Sequence, residues 1–307
     1  MSNVALTNWA NGCPPESPLR RAEVHALGAN PPASSAERAK VLIEAYTSSL
    51  AKTRSYIYDH QHAMDICRHP EVMRLHGYTT AVGTNPGPLM PLFTFAKTSI
   101  HQDILATPLE QYSSSYMGYD PEWERKTKNL VMWRGSSTGS ENLETTEWRH
   151  SQRVRLHFAS HEVKGSTKLW VSEGAGEVKE VKVGVKELNE AFLDTSLSGA
   201  PVQCDARTCR VMEQEINFKP TMGLEEAYEY KYVMDVDGNG WSGRFHRLMS
   251  MKALVLKSTL FPEWYSDRIQ PWVHYVRTRG DPFAVAGAST DWLVGMTCSG
   301  PDQDRLL

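Results

Sequence analysis

From residue 128 onward the chain repeats one pattern: a short apolar run ends abruptly in a turn rich in glycine and hydroxyl side chains. KNLVMW (128–133) runs into RGSSTGS, and KYVMDV (231–236) runs into DGNGWSG. Between and after these lie EVKEVKVGVKELNEAF, read as a strand passing into a helix, RFHRLMSMKA, read as a helix, and the apolar runs ALVLKS and PWVHYV. RVRLHFAS falls in the same strand-rich stretch. Short apolar strands alternating with helices predict an α/β fold with a mainly parallel, doubly wound sheet. Ligands of such sheets sit beyond the carboxyl ends of the strands, where both glycine-rich turns lie.

The chain has 307 residues, enough for one large domain or two ordinary ones. A net charge of −3 argues against a general nucleic-acid or anionic-membrane surface, so any phosphate binding must be local. Nine Trp and twelve Tyr fit ordinary cores and aromatic-lined sugar clefts alike. Of the five cysteines, Cys204 and Cys209 are close enough to close a small disulfide loop. Without a second cluster they make a poor zinc site, and the odd total leaves a thiol over. The opening MSNVALTNWANG reads as neither a signal peptide nor a membrane span. The expectation is a cytosolic chain or one lacking its original start.

Residues 1–33, proline-rich from Cys13, are expected to be extended. Ser34 and Glu37 stand at capping-box spacing before a long amphipathic helix. LFTFAKTS is expected to be a short strand, and HQDILATPLEQY to start helically and break at Pro108. The domain reading is 34–126 for one unit, 127–276 for a second, Rossmann-like unit and 277–307 for an atypical tail.

The two turns admit several chemistries. Gly135, Ser137 and Gly139 spell a Gly-x-Ser-x-Gly elbow, with Asp235 and His274 in order for a serine hydrolase. Arg134 beside glycines and hydroxyls also suits a diphosphate, or an ion pair at a strand end. Asp235, Asp237, Asn239 and Gly240 open like a calcium loop, but His246 stands where the closing carboxylate belongs. Asp-Val-Asp also suits a metal-dependent sugar transferase. A third reading is a helix start near Gly243 that attracts phosphate, with Arg244 as counter-charge.

Three blocks, FTFAKTSIHQDIL (93–105), WRGSSTG (133–139) and DVDGNGWSGRFHRLMS (235–250), the last extended by FPEWYSDRIQPWVHYV (261–276), resemble glycosyltransferase family 90. That family includes fungal capsule-associated xylosyltransferases and Rumi-type protein O-glucosyltransferases, and the resemblance spans most of residues 40–276. It implies a GT-B-like architecture of two Rossmann-like domains facing a cleft, and inverting transfer of xylose or glucose from a UDP-sugar. The acceptor would be a hydroxyl of a glycan, glycolipid or protein, with no obligatory metal. It points to Asp103 as the catalytic base. Donor binding falls to Arg134, Gly135, Ser136, Ser137, Thr138 and Gly139, and to Asn239, Gly240, Trp241, Ser242, Gly243 and Arg244. Glu263 is a candidate for the ribose hydroxyls, and Lys97 for the acceptor side or a solvated loop charge. Full-length relatives are expected in the lumen of the Golgi or endoplasmic reticulum. Beyond Val276 the sequence leaves the resemblance, so an incomplete second domain, low stability and an inactive UDP-sugar-binding remnant are expected alternatives.

Overall fold

A computed structural model describes residues 9–21, 59–81, 88, 90–109, 118–146, 148–174 and 177–278. The helix expected after Ser34 and the tail from 279 onward lie outside the described residues.

Within the segment expected to be extended, the described residues 9–21 are not extended throughout. Residues 9–11 and 18–21 form helical turns. Trp9 and Leu19 are buried with Ile66, Met73, Leu260 and Phe261 in one apolar cluster, and a disulfide joins Cys13 to Cys67. Burial of those large side chains, with the covalent tie, overrides the extended preference of the prolines. Helix α1 (His60–Met64) is capped by Asp59, whose carboxylate accepts from the His62 N–H. Helix α2 (Gly77–Ala81) follows a 3-10 turn at Pro70–Leu75.

LFTFAKTS contains the expected strand, β1 (Phe93–Thr94). HQDILATPLEQY does not begin helically. Its Ile104–Leu105 form β2, paired parallel to β1, because the Ile104 and Ala106 N–H groups donate to the Leu92 and Thr94 carbonyls.

The main sheet begins with β3 (Lys128–Gly135). Helix α3 (Gln152–Ser160) follows, where RVRLHFAS had read as strand-like. Its V-R-L-H alternation fits a strand, yet Val154, Leu156 and Ala159 are buried together on a helix. An antiparallel hairpin, β4 (Ser166–Gly174) and β5 (Glu177–Gly184), runs directly into α4 (Val185–Phe192), as expected. Then come β6 (Leu193–Leu197), α5 (Ala206–Glu215), α6 (Leu224–Ala227), β7 (Tyr230–Val236), α7 (Phe245–Met249), β8 (Leu254–Ser258) and β9 (Val276–Arg277). PWVHYV is mostly a turn, with the Trp272 N–H donating to the Tyr275 carbonyl and Trp272 at φ 69°. Only its last residue enters β9.

The sheet order is β6-β3-β7-β8-β9, with every pairing parallel. In chain order the strands therefore lie 2-1-3-4-5, and the order reverses between β3 and β7. Side chains alternate along these strands. Val131, Trp133, Tyr232, Met234 and Leu256 pack with residues of α3 and α5 on one face. Met132, Val233 and Val255 pack with α6 and α7 on the other. Both faces are covered, which the doubly wound reading requires. Among the described residues, the N-terminal part contributes the β1-β2 pair and not a second large parallel sheet.

Cys204 and Cys209 are bridged as their spacing suggested. The Cys13–Cys67 bridge closes a separation of 54 residues and the second only 5. Loop-closure entropy makes the first worth about 4 kcal/mol and the second about 2. Replacing Cys13 and Cys67 by Ala is expected to lower the calorimetric unfolding temperature clearly more than the same change at Cys204 and Cys209.

Candidate active site

The reversal of strand order puts the exits of β3 and β7 side by side, and α3 binds them from behind. Arg153 donates from Nε to the Asp237 carbonyl (2.9 Å), from Nη2 to the Val236 carbonyl (3.0 Å), and from Nη1 to the Ser136 carbonyl (3.2 Å) and the Thr138 hydroxyl (2.5 Å). Gln152 donates to the carbonyls of Asp237 and Gly238, and its Oε1 accepts from the Gly77 N–H at 2.9 Å. Asn239 reaches across to accept from the Gly139 N–H at 2.9 Å. Gly139 stands at φ +107°, and a Cβ there would collide with the Gln152 amide. Only glycine lets this turn lie against α3.

Burial lowers the Arg153 pKa to about 9, aided by the nearby Arg244 and opposed by Asp235 and Asp237. Arg244 lies over the Trp133 ring, 5.5 Å from its centroid, and its Nη1 is sealed from solvent without a hydrogen-bond partner among the described residues. Two guanidiniums thus converge at the loops, but they are Arg153 and Arg244. Arg134 is taken up elsewhere, bonding the Asp194 carboxylate and carbonyl at 2.6 Å each. Asp194 also receives Tyr230 and Lys219. The strand-end ion pair, not the phosphate grip, is where Arg134 stands.

The carboxylates of Asp-Val-Asp part company. Asp235 accepts from Lys257 at 2.8 Å, and Lys257 also reaches Glu263 at 3.1 Å. Burial opposes the Lys257 charge, but Asp235 and Glu263 more than offset it and hold the ammonium above its usual value. Asp237 instead accepts from the Leu260 N–H at 3.0 Å. Burial raises its pKa to about 8, while burial lowers that of His76 to about 3. Burial thus favours the neutral form of both groups, which approach to 3.7 Å. Glu263, expected at the ribose, accepts from Lys257 and Tyr265 through Oε1, while its buried Oε2 has no partner among the described residues.

The hydrolase elbow is not assembled. Ser137 is fully buried, and its Oγ accepts from the Val202 N–H at 2.9 Å. Asp235 is held by Lys257, and His274 is bonded to Gln270 at an exposed turn. Ser242 is buried with its hydroxyl unpartnered among the described residues. Ser136 and Thr138 face each other at 3.3 Å.

A cavity of about 270 Å³ brings Asp103 together with Asn239, Gly240 and Trp241. Tyr78, Phe95 and Phe261 complete its aromatic wall, and Phe95 meets Trp241 edge to face at 5.3 Å. The Ala96–Glu263 bridge and the bond from the Lys97 N–H to the Pro262 carbonyl fix this wall to the exit of β8. Lys97 Nζ donates to the Asp103 carbonyl at 2.8 Å, so it shapes the turn that carries the carboxylate. His101 Nδ1 lies 2.7 Å from the buried Thr98 hydroxyl. Burial lowers the His101 pKa against the pull of Asp103. The Asp103 carboxylate itself has no hydrogen-bond partner among the described residues. Sequence reasoning missed Arg153, Gln152 and Tyr78; only the position of Gln152–Arg153 directly after Ser151, at a helix start, offered a signal.

The profile of glycosyl transferase family 90 matches residues 47–282. Among curated proteins, uncharacterized protein 179R of Invertebrate iridescent virus 6 is 28% identical over 176 residues, 53% of this chain and 13% of that protein. The chain thus spans far less than two thirds of that relative.

Arg153→Lys leaves the fork of acceptors short of donors, and about 3 kcal/mol of stability is expected to be lost in denaturant unfolding. The pH dependence has a definite sign. His60 and His76 are pushed down to about 3 and His157 to about 4, in each case chiefly by burial. Depressed imidazole values contribute stability that is present above the unfolded value near 6.5 and lost as pH falls towards 3–4. Asp237, raised to about 8, acts oppositely: its contribution is full below the unfolded carboxylate value and lost as pH rises through 8. The unfolding temperature is expected to fall between pH 6.5 and 4, and His76→Asn to make that acid limb shallower.

Proposed function

This chain belongs to glycosyl transferase family 90, and from that premise we propose that it moves xylose or glucose from a UDP-sugar to a hydroxyl acceptor with inversion, Asp103 acting as base. The observation that carries the reading is one cavity lined by Asn239, Gly240, Trp241 and Asp103, whose carboxylate has no hydrogen-bond partner among the described residues. In a single displacement the acceptor oxygen attacks the anomeric carbon while its proton passes to Asp103. The bond to the β-phosphate breaks, and its electron pair leaves with UDP. Growing charge on the diphosphate is met by Arg244, whose Nη1 has no hydrogen-bond partner among the described residues, and by main-chain N–H groups of the turns at 136–138 and 239–243. Arg153 holds those turns in position.

In this reading residues 34–126 serve the acceptor and 127–276 the donor, in a GT-B-like arrangement, without an obligatory metal. The separate engagements of Asp235 and Asp237 support the last point. The acceptor is a glycan, glycolipid or protein hydroxyl. Two disulfides suit the oxidising lumen of the endoplasmic reticulum or Golgi.

Asp103→Asn is expected to lower UDP release from UDP-xylose or UDP-glucose by about 10²-fold or more. The rise in unfolding temperature produced by UDP should persist in the variant. UDP binding without any Asp103-dependent release would mark a binding remnant and not a transferase.

A further inference from the structure

The walls of the 270 Å³ cavity carry few polar groups that are free to act. Lys97 is engaged by the Asp103 carbonyl, the Asn239 oxygen by Gly139 and one His101 nitrogen by Thr98. Besides the Asn239 amide nitrogen, the Trp241 indole N–H and the second His101 nitrogen, the Asp103 carboxylate and the Tyr78 hydroxyl have no hydrogen-bond partner among the described residues, and Tyr78 is the hydroxyl among them. The Tyr78 ring is fixed. It packs edge-on to Trp9 at 6.1 Å and to Phe261 at 5.7 Å, and its N–H donates to His76 Nδ1. A half-buried phenol anchored at its ring and open at its oxygen is arranged to donate to a guest.

We propose that Tyr78 is an acceptor-binding residue, whose hydroxyl donates to an oxygen neighbouring the hydroxyl that Asp103 deprotonates. This rests on the transferase reading. The pair presents one donor and one acceptor to a single cavity, matching two adjacent oxygens of a sugar diol better than a lone alcohol. Burial and the nearby Asp103 charge both raise the Tyr78 pKa, so it remains a donor at neutral pH. The step balances as before: the reacting hydroxyl loses its proton to Asp103, its oxygen gains the glycosyl carbon, and UDP departs with the electron pair. Tyr78 keeps its own proton throughout.

The test measures UDP release from UDP-xylose and UDP-glucose by the full chain. Acceptors are water alone, 1-propanol, methyl α-mannoside, methyl β-glucoside and methyl β-xyloside. Tyr78→Phe retains both ring contacts. It is expected to raise the KM for a productive glycoside about tenfold, the loss of one neutral hydrogen bond. Release with water or 1-propanol should stay within about twofold of the unaltered protein. An unchanged glycoside KM overturns the proposal. So does an equal fall in water-supported release, which makes Tyr78 a donor-side or structural residue. Failure of every glycoside to raise release by the unaltered protein overturns it as well, because the cavity then takes no diol. Full activity in Asp103→Asn would instead remove the transferase reading itself, a separate outcome.

Discussion

One buried guanidinium organises the carboxyl edge of this sheet. Where β3 and β7 end, their last carbonyls leave the ladder and must find donors or lose several kcal/mol between them. Arg153 supplies those donors to both turns at once, at Ser136, Val236 and Asp237. A charge removed from water is costly unless its protons are all used, and here Arg153 lies within reach of the Asp235 and Asp237 fields. Its side chain works as an internal cap for two strand exits. Gln152, its neighbour on the same helix, extends the tie to Gly77 and so to the N-terminal layer.

The turns are consequently gripped from the side facing α3, and most charged groups near the sheet ends are spent on the fold. Arg134 is neutralised by Asp194, and Lys257 by Asp235 and Glu263. Such buried pairs are weak contributors to net stability, yet removing one member leaves an uncompensated charge. They fix geometry. Against that background, the Asp103 carboxylate and the Tyr78 phenol, which line one cavity without a hydrogen-bond partner among the described residues, are groups the fold leaves available to a guest.

What the sequence disclosed follows the range of the forces involved. The short apolar runs KNLVMW and KYVMDV are local properties, so β3, β7 and their glycine-rich exits were legible, as was the strand-to-helix passage through Gly184. Asp103 was singled out only through the block that contains it, by resemblance and not by a local rule. Arg134 was misplaced because its acceptor, Asp194, lies 60 positions away on β6, a distance that no spacing rule covers. Arg153 was missed for the same reason, its acceptors lying 15 to 84 positions away. In sequence it is one more arginine in a basic stretch, WRHSQRVR. The Cys13–Cys67 bridge was not foreseen, because its partners are 54 residues apart. Tyr78 sits in a turn-rich passage with no pattern to lift it out.

The two walls of the cavity are mechanically joined. The segment carrying Asp103 is pinned to the exit of β8 through Ala96–Glu263 and Lys97–Pro262, and Glu263 is itself bound by Lys257 on β8. On the opposite wall, Trp241 belongs to the turn that Arg153 and Gln152 hold at Asp237 and Gly238. Phe95 and Trp241 then close the gap by ring contact alone. An edge-to-face pair contributes about 1 kcal/mol, far less than the bonds holding each wall. The walls are stiff and the contact between them is soft, so on the proposed reading a guest displaces one aromatic contact while the carboxylate keeps its position. The proposed in-line displacement asks for that condition, since its base and leaving group must hold their separation while the substrate moves.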